Sequence, residues 1–326
     1  MSKRRISTLL VGVFLLTMCV SSSTVANASG NIEENVKYSI KDATENEGEY
    51  ILKNLETGEE TYYDVEITGD PSESVGASVY PAHIPQKNMS GVDEQVGAET
   101  EEEIEPETII GEDGRTKVTD TTEFPYSAVL YIEIKWSDGT LYTGTAFMIS
   151  DNVAVTAAHC IYDSSHGGWA KSITVWPGKD GFGLWNNPYG SVDVSYMSAN
   201  SLFVDGNEMY DYGVLILKSD VGDETGWFGL TYSDSTEDIS GTNITISGYP
   251  GDDRYYQYTM SGTVSRCQGI RIFTTIDIVG GNSGSPVYTS ENVVTAICYA
   301  ESASENILVR MYDSNYEWFM SMISEY

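Results

Sequence analysis

Basic side chains are scarce in this sequence. Its 326 residues include 17 lysines and arginines against 49 aspartates and glutamates, which gives a formal net charge of −32. A chain this acidic repels phosphate groups, so we expect no binding to nucleic acid. The sequence also lacks the ligand spacing of a zinc site or an EF-hand, and we predict neither a metal nor a cofactor. Asp252 and Asp253 could coordinate calcium, although a solvated turn is the more usual place for such a pair.

Long apolar runs are scarce as well. The N-terminal run from Leu9 to Val20 is about a dozen residues, which is too short to cross a bilayer comfortably. It follows a basic start at residues 3–5 and precedes the small-residue sequence Ala26-Asn27-Ala28. This order is typical of a secretory signal, residues 1–28, cleaved after Ala28. We therefore predict secretion, with no membrane attachment after signal cleavage.

Only four cysteines are present. If Cys19 leaves with the signal, Cys160, Cys267 and Cys298 remain. An odd number of cysteines in a secreted protein means that one thiol stays free or pairs with another molecule. The sequence leaves the pairing open.

Residues 29–107 lack tryptophan, phenylalanine and cysteine, and carry 21 acidic residues against four lysines. Glu49 to Leu55 and Thr61 to Ile67 are typical of two strands joined by a turn. Glu99 to Glu107 is a run of like charge, which we expect to be solvated and flexible. Such a run is often only a solubilising tail. Between a signal and a folded domain, it predicts a removable prosegment with an exposed cleavage site.

Residues 108–326 show no helical period before Asp313 to Ile323. Up to that point, short β-rich runs alternate with turn signals. Many strands followed by one C-terminal helix predict an all-β fold, a double β-barrel of roughly 220 residues, which is ample for a substantial core. The predicted strands are Ala128 to Trp136, Gly144 to Ile149, Val153 to Thr156, Ser172 to Val175, Val214 to Leu217, Asn243 to Ser247, Tyr256 to Val264, Ile272 to Ile276, Pro286 to Tyr288 and Val293 to Tyr299.

A glycine-rich turn contains a candidate nucleophile, Ser283. Its sequence is Gly280-Gly281-Asn282-Ser283-Gly284-Ser285-Pro286-Val287. A serine attacks only when a base takes its proton and hydrogen-bond donors stabilise the oxyanion that follows. Glycines at 281 and 284 let the chain fold tightly, so that the N–H groups of Gly281 and Ser283 can point at one site. Taken alone, the cluster is equally typical of a surface turn.

Two further motifs favour catalysis. Val155-Thr156-Ala157-Ala158-His159-Cys160 places His159 at the end of an apolar run. Tyr210-Asp211-Tyr212-Gly213-Val214-Leu215-Ile216-Leu217 places Asp211 at the start of an apolar strand. Together the three motifs supply a base, a carboxylate and a nucleophile.

Other residues compete with these by type. His166 lies in a loop sequence and His83 in the prosegment, and we expect both to be exposed to solvent. Asp205 is typical of a turn and is a weaker rival to Asp211. Cys160 lacks a glycine-rich oxyanion turn and is not predicted to be a nucleophile.

The order His159, Asp211, Ser283 and the three motifs resemble those of trypsin-like serine proteases. Longer stretches resemble bacterial glutamyl endopeptidases and cover nearly all of residues 108–326. This resemblance implies a chymotrypsin-like double β-barrel, with the triad in the cleft between the barrels, and a secreted zymogen. The stretches are Thr108 to Val118, Thr121 to Tyr126, Pro188 to Val192, Ile246 to Asp252 and the serine motif.

Roles follow from the chemistry and agree with the family. His159 would accept the Ser283 proton and later donate it to the leaving amine. Asp211 would hold the imidazole in the right tautomer and stabilise its charged form. The N–H groups of Gly281 and Ser283 would form the oxyanion hole.

The substrate pocket is where the sequence departs from the family. Glutamyl endopeptidases line it with a threonine and a histidine, and those positions fall here on Ile278 and Cys298. An acidic side chain entering an apolar pocket loses water without compensation, which disfavours it. Asp277 falls where trypsin carries its selector for basic substrates, but a structural role is an equal alternative. The preferred P1 residue, which precedes the scissile bond, stays open among acidic, apolar and basic side chains.

These expectations add up to a secreted serine endopeptidase, made as a zymogen, that hydrolyses protein or peptide substrates. A catalytically silent, trypsin-like binding protein is the alternative. We expect activation after Glu107, which would expose Thr108 as the new N-terminus. The prosegment is the expected partner within the chain, and the protein is expected to be a monomer.

Overall fold

The computed structural model describes residues 36–43, 48–69, 79–85, 109–183, 186–302 and 304–326. The predicted signal peptide, residues 1–28, lies outside the described residues. So does the predicted activation bond between Glu107 and Thr108. In the described part of the chain, no helix is long and apolar enough to cross a membrane.

Strands dominate the described residues, and the longest helix stands at the C-terminus. The helices are α1 (Ser201–Val204), α2 (Gly222–Thr225) and α3 (Asp313–Glu325). The strands are β1 (Val36–Asp42), β2 (Tyr50–Asn54), β3 (Glu60–Gly69), β4 (Thr116–Lys117), β5 (Val129–Lys135), β6 (Leu141–Met148), β7 (Val153–Thr156), β8 (Tyr162–Asp163), β9 (Gly168–Trp169), β10 (Ser172–Pro177), β11 (Val192–Asn200), β12 (Gly213–Leu217), β13 (Gly229–Leu230), β14 (Asn243–Gly248), β15 (Tyr258–Gln268), β16 (Arg271–Thr274), β17 (Pro286–Tyr288), β18 (Val293–Ala300) and β19 (Asn306–Arg310).

The first barrel closes six antiparallel strands in the order β5-β6-β7-β12-β11-β10. Strands β7 and β12 are buried along their whole length, which explains why their sequences are continuous apolar runs. Their register sets Thr156 opposite Gly213. The residues that follow Thr156 and those that precede Gly213 therefore emerge side by side at one end of the barrel.

The second barrel closes another six strands in the order β14-β15-β16-β19-β18-β17. In β14, Ile244 and Ile246 are buried while Asn243 and Thr245 are more exposed, as expected for a strand with one face on the core. Strand β17 begins directly after the glycine-rich turn, and β18 pairs with it. The turn and the predicted pocket strand are thus neighbours.

Strands β1, β3 and β2 form an antiparallel sheet that continues the first barrel, because β2 pairs with β11. A second part of the N-terminal region, residues 79–85, forms bridges from Tyr80 to Leu230 and from His83 to Trp227. The strands of the N-terminal region and both barrels belong to one compact unit.

The predicted all-β fold, with its double barrel and C-terminal helix, is confirmed. Predicted strands Val153 to Thr156 and Pro286 to Tyr288 match the observed bounds. Strands β1, β11 and β19 were not predicted, nor were the two-residue strands β4, β8, β9 and β13, which are too short to show a pattern. Strand β1 does alternate apolar and polar residues, and β11 does so up to its register shift at Ser195, so this signal was present and was missed. Strand β19 does not alternate, and it ends in Arg310, which is fully buried.

Candidate active site

His159 and Asp211 meet at the end of the first barrel. His159 lies in a single 3-10 turn, Ala158–Cys160, just after β7, and Asp211 lies just before β12. The backbone N–H of His159 donates to Asp211 Oδ1 at 2.8 Å, and His159 Nδ1 lies 2.6 Å from Asp211 Oδ2. A carboxylate only accepts, so Nδ1 carries the proton and Nε2 is the basic nitrogen of the neutral ring.

The charge on Asp211 controls the protonation of His159. Asp211 is 2% exposed, while the His159 side chain is 39% exposed. Burial disfavours the charged ring, but the adjoining Asp211 carboxylate, helped by the Cys160 thiol, outweighs this and raises the pKa of His159 well above its ordinary value. The geometry therefore favours proton uptake by this histidine.

The glycine-rich turn is held by strands of both barrels. Gly284 N donates to Cys298 O at 2.9 Å, and Thr145 N donates to Ser283 O at 3.0 Å. Gly281 and Gly284 have φ angles of 93° and 84°. A Cβ at Gly284 would lie 2.2 Å from Thr145 O, so only glycine fits this approach between the barrels.

The backbone N–H groups of Gly281 and Ser283 have no acceptor among the described residues. Asn282 N, between them, donates to Val279 O at 3.0 Å. Two unused N–H groups that flank one residue can receive a developing negative charge.

Ser283 lies close to the turn that carries His159. The Sγ atom of Cys160, the residue after His159, is 3.9 Å from the backbone oxygen of Ser283. Ser283 is partly exposed. Among the described residues, no hydrogen bond within 3.5 Å joins the Ser283 hydroxyl to the His159 ring. Such bonds are often long in an enzyme without substrate.

A cavity of about 230 Å³ opens next to Ser283. Predicted pocket residues Ile278 and Cys298 both line it. Burial raises the pKa of the Cys298 thiol, so this side chain stays neutral. Neither a thiol nor a thiolate carries the positive charge that would pair with a carboxylate. The remaining lining residues are Val279, Gly280, Tyr299, Ala300 and Glu301.

Asp277 is not among the residues that line this cavity. It is 4% exposed, and its two carboxylate oxygens accept hydrogen bonds from Ile110 N and Gly114 N, both at 3.0 Å. Asp277 thus holds the segment that follows the predicted activation bond. A second cavity, of about 430 Å³, lies between β2, β3 and the region of Trp169, and includes none of the predicted site residues.

Glu301 is the residue that sequence reasoning missed. It follows β18 directly and lines the cavity together with Cys298. The pairing of β18 with β19 shifts register between Cys298 and Ala300, so the two-residue alternation of a strand does not extend to position 301. The signal in the sequence was the position of Glu301, three residues after the predicted pocket residue Cys298.

The rival residues lie elsewhere, and neither histidine is fully exposed. The ring of His166 stacks on Trp136 with 5.3 Å between centroids, and its Nδ1 lies 2.7 Å from Asp138 Oδ2. The His83 ring stacks on Trp227 at 4.2 Å. Asp205 is exposed next to α1.

The acidic pair of the sequence has cationic neighbours. Arg115 binds Asp252 through two hydrogen bonds, of 2.9 and 2.7 Å, and Lys117 lies 3.5 Å from Asp253. Among the described residues, no three His, Cys, Asp or Glu side chains are grouped so that they could hold a metal ion. Cys160, Cys267 and Cys298 are all free thiols.

Known proteins are similar to part of this sequence. The trypsin family profile matches residues 114–315. A glutamyl endopeptidase of Bacillus licheniformis is 39% identical over 182 residues, which cover 56% of this chain and 54% of the relative. A Bacillus subtilis protein named extracellular metalloprotease is 32% identical over 188 residues, 57% of this chain and 58% of the relative. The chain thus spans about half the length of these curated relatives.

Solved structures share the fold. A Glu endopeptidase in complex with MPD superposes with a TM-score of 0.59 at 27% identity, covering 67% of this chain and 100% of that one. The protease Anisep from Arthrobacter nicotinovorans superposes at 0.54 with 16% identity, over 64% and 99% of the two chains. Since the family profile spans most of both barrels, the chain belongs to the trypsin family of serine proteases.

Proposed function

We propose that this protein is a secreted serine endopeptidase that hydrolyses peptide bonds through an acyl-enzyme and is made as a zymogen. The observation that carries the proposal is the convergence of two features on the turn of Ser283. One is the hydrogen-bonded pair His159–Asp211, and the other is the pair of unused N–H groups at Gly281 and Ser283. This is the arrangement that acyl transfer requires.

The proposed mechanism follows from the donors and acceptors. His159 Nε2 takes the proton of Ser283 Oγ as this oxygen attacks the carbonyl carbon of the scissile bond. The carbonyl oxygen becomes an oxyanion and accepts from the N–H groups of Gly281 and Ser283. Asp211 stabilises the imidazolium, which then donates its proton to the leaving amine. A water molecule repeats these steps and releases the acid.

Replacing the nucleophile tests this mechanism. Ser283→Ala should lower kcat/KM by about a million-fold, as for triad knockouts generally, and should abolish labelling by an organophosphonate. Ser285→Ala is the matched control. It removes a hydroxyl from the same turn, and that hydroxyl is buried and has no hydrogen-bond partner among the described residues. If processed wild-type protein is neither labelled nor able to hydrolyse any peptide of a library, the alternative of a catalytically silent binding protein holds.

The residues that line the cavity next to Ser283 support a P1 preference other than glutamate, the residue that the relative's name, glutamyl endopeptidase, states. Ile278 and Cys298 offer no charge to a carboxylate, and Glu301 adds a negative one to the same cavity. We propose that the cavity favours a P1 side chain with an apolar body and no negative charge. Like charges in one cavity act against an acidic P1 residue.

Activation is proposed to occur in the acidic linker, near Glu107. The support is that Ile110 N and Gly114 N are tied to buried Asp277 only a few residues beyond this point. N-terminal sequencing of active secreted protein should give a start at or near Thr108. Fully active protein that still carries an intact chain from Ser29 would contradict both the zymogen proposal and this site.

A further inference from the structure

The described part of the predicted prosegment pairs with strands of the barrels. We call this described part, residues 36–43, 48–69 and 79–85, the docked prosegment. Its strand β2 runs antiparallel to β11, with Tyr50 opposite Asn200 and Asn54 opposite Tyr196. Strand β10 pairs with β11 only at residues 192 and 193, and β2 continues along the edge that β10 leaves. Without β2, this edge would expose unpaired backbone groups.

A chain of hydrogen bonds crosses between the docked prosegment and the barrels at every step. Trp318 Nε1 donates to the hydroxyl of Tyr63 at 2.8 Å. That hydroxyl lies 2.6 Å from Ser198 Oγ, which donates to Ile51 O at 2.9 Å. Tyr63, Trp318 and Ser198 are fully buried. Departure of the docked prosegment would break all three bonds at once, and the Trp318 N–H would exchange the Tyr63 hydroxyl for water.

Aromatic packing reinforces these bonds. The ring of Tyr50 stacks on Trp318 with 4.5 Å between centroids and 15° between planes. Tyr50 is 1% exposed, and Ile51 next to it is 3% exposed. Helix α3 packs on β1 and β3 as well. Buried aromatic anchors of this kind are where association energy concentrates.

The second part of the docked prosegment, residues 79–85, pairs with residues 227–230. Tyr80 and Leu230 exchange two backbone hydrogen bonds of 2.9 Å, and His83 and Trp227 exchange two of 2.9 and 3.1 Å. Gly229 permits this approach, since a Cβ there would lie 2.6 Å from Tyr80 O.

We propose that the docked prosegment remains bound to the barrels after the linker is cut, as a second, non-covalent chain of the mature protein. The proposal rests on the proposed cleavage near Glu107, which lies between residues 79–85 and the barrels in sequence. Its partner is the surface of β11, α3 and residues 227–230 of the same protein. Loss of the docked prosegment would uncover Trp318 and Met322, both fully buried, and an apolar patch of this kind promotes aggregation.

The test uses the full chain carrying Ser283→Ala, so that its outcome does not depend on the proposed activity. A recognition sequence for an added protease is inserted between Glu101 and Glu102, and the chain is cut there. Native size-exclusion chromatography followed by denaturing mass spectrometry should find both fragments in one peak at equal amounts. Elution of the barrel fragment without the other, whether monomeric or aggregated, would overturn the proposal. Failure of the proposed function would instead appear as wild-type protein without hydrolysis.

Point variants of the cut protein test the assigned contacts. Tyr63→Phe and Gly229→Ala should each weaken retention of the docked prosegment by about tenfold. Tyr50→Ala, which removes a buried anchor, should weaken it by about a hundredfold. Tyr142→Phe, on a half-exposed tyrosine of β6, is the matched control for Tyr63→Phe and should change nothing. Thermal unfolding of the uncut variants shows that each one folds. Equal retention in all four variants would overturn the assignment.

Discussion

The carboxylate of Asp277 accepts a hydrogen bond from the backbone N–H of Ile110, with 3.0 Å between Oδ1 and nitrogen. Its second oxygen accepts a hydrogen bond from Gly114 N. Both carboxylate oxygens therefore bind backbone N–H groups, and Asp277 does not line the cavity next to Ser283. We expect Asp277→Asn to lower the free energy of unfolding by about 1–3 kcal/mol, because an amide group would face an N–H donor. The ratio of kcat/KM for Lys and Glu at P1 should stay unchanged.

Thermal unfolding and two matched peptide substrates check this prediction. Asp223→Asn, on an exposed aspartate of α2, is the control and should alter neither quantity. A change of more than about tenfold in the Lys-to-Glu ratio of Asp277→Asn would place this carboxylate in substrate recognition.

Activity should depend on pH through His159. The proposed base works only when neutral, and burial acts against its charge, yet Asp211 holds the pKa of His159 well above 6.5. The acidic limb of kcat/KM should therefore have its midpoint above pH 6.5, with activity rising as the pH rises through that value. Asp211→Asn should move the midpoint to lower pH and reduce kcat by about 10⁴-fold.

Asp205→Asn, at the exposed rival aspartate, should leave the pH profile as it is in the wild type. A midpoint that does not move in Asp211→Asn would mean that another group sets the acidic limb.

Glu301 should act against acidic substrates. Because it lines the same cavity as Ile278 and Cys298, Glu301→Gln should raise kcat/KM for Glu at P1, relative to Leu, by about tenfold. Profiling against a library with every P1 residue measures this change. Glu291→Gln, on an exposed glutamate of the loop between β17 and β18, is the control. A strong Glu preference in the wild type that Glu301→Gln does not alter would show that the cavity is not the P1 site.

The sequence predicted those features of the fold and the site that depend on short stretches of chain. His159 and Asp211 each stand at the end of an apolar run, and two neighbouring strands bring such ends together. It also predicted β2 and β3. Their docking could not be predicted, because Tyr63 meets Trp318 across 255 positions and nothing near either residue signals the other. The same holds for Asp277, whose partner Ile110 is 167 positions away.

Gly144 and Cys160 offer a site for a stabilising disulfide bond. A Cβ at Gly144 would lie 3.2 Å from Cys160 Sγ, close to the separation of about 3 Å between one Cβ and the opposite sulfur that an S–S bond of about 2.05 Å requires. Gly144→Cys should therefore form a bridge with Cys160. Closing a loop of about 15 residues should raise the free energy of unfolding by about 3 kcal/mol, less any strain.

Thermal unfolding of the oxidised and reduced variant measures the effect of this bridge. Thiol titration in denaturant should find one thiol fewer than in the parent when the variant is oxidised, and one more after reduction. Gly144→Ala is the control for crowding, since it adds the same Cβ 3.3 Å from Ile132 Cδ1 without a sulfur. Equal unfolding temperatures for the oxidised and reduced forms, with the bridge shown by titration, would mean that native-state strain cancels the gain from loop closure.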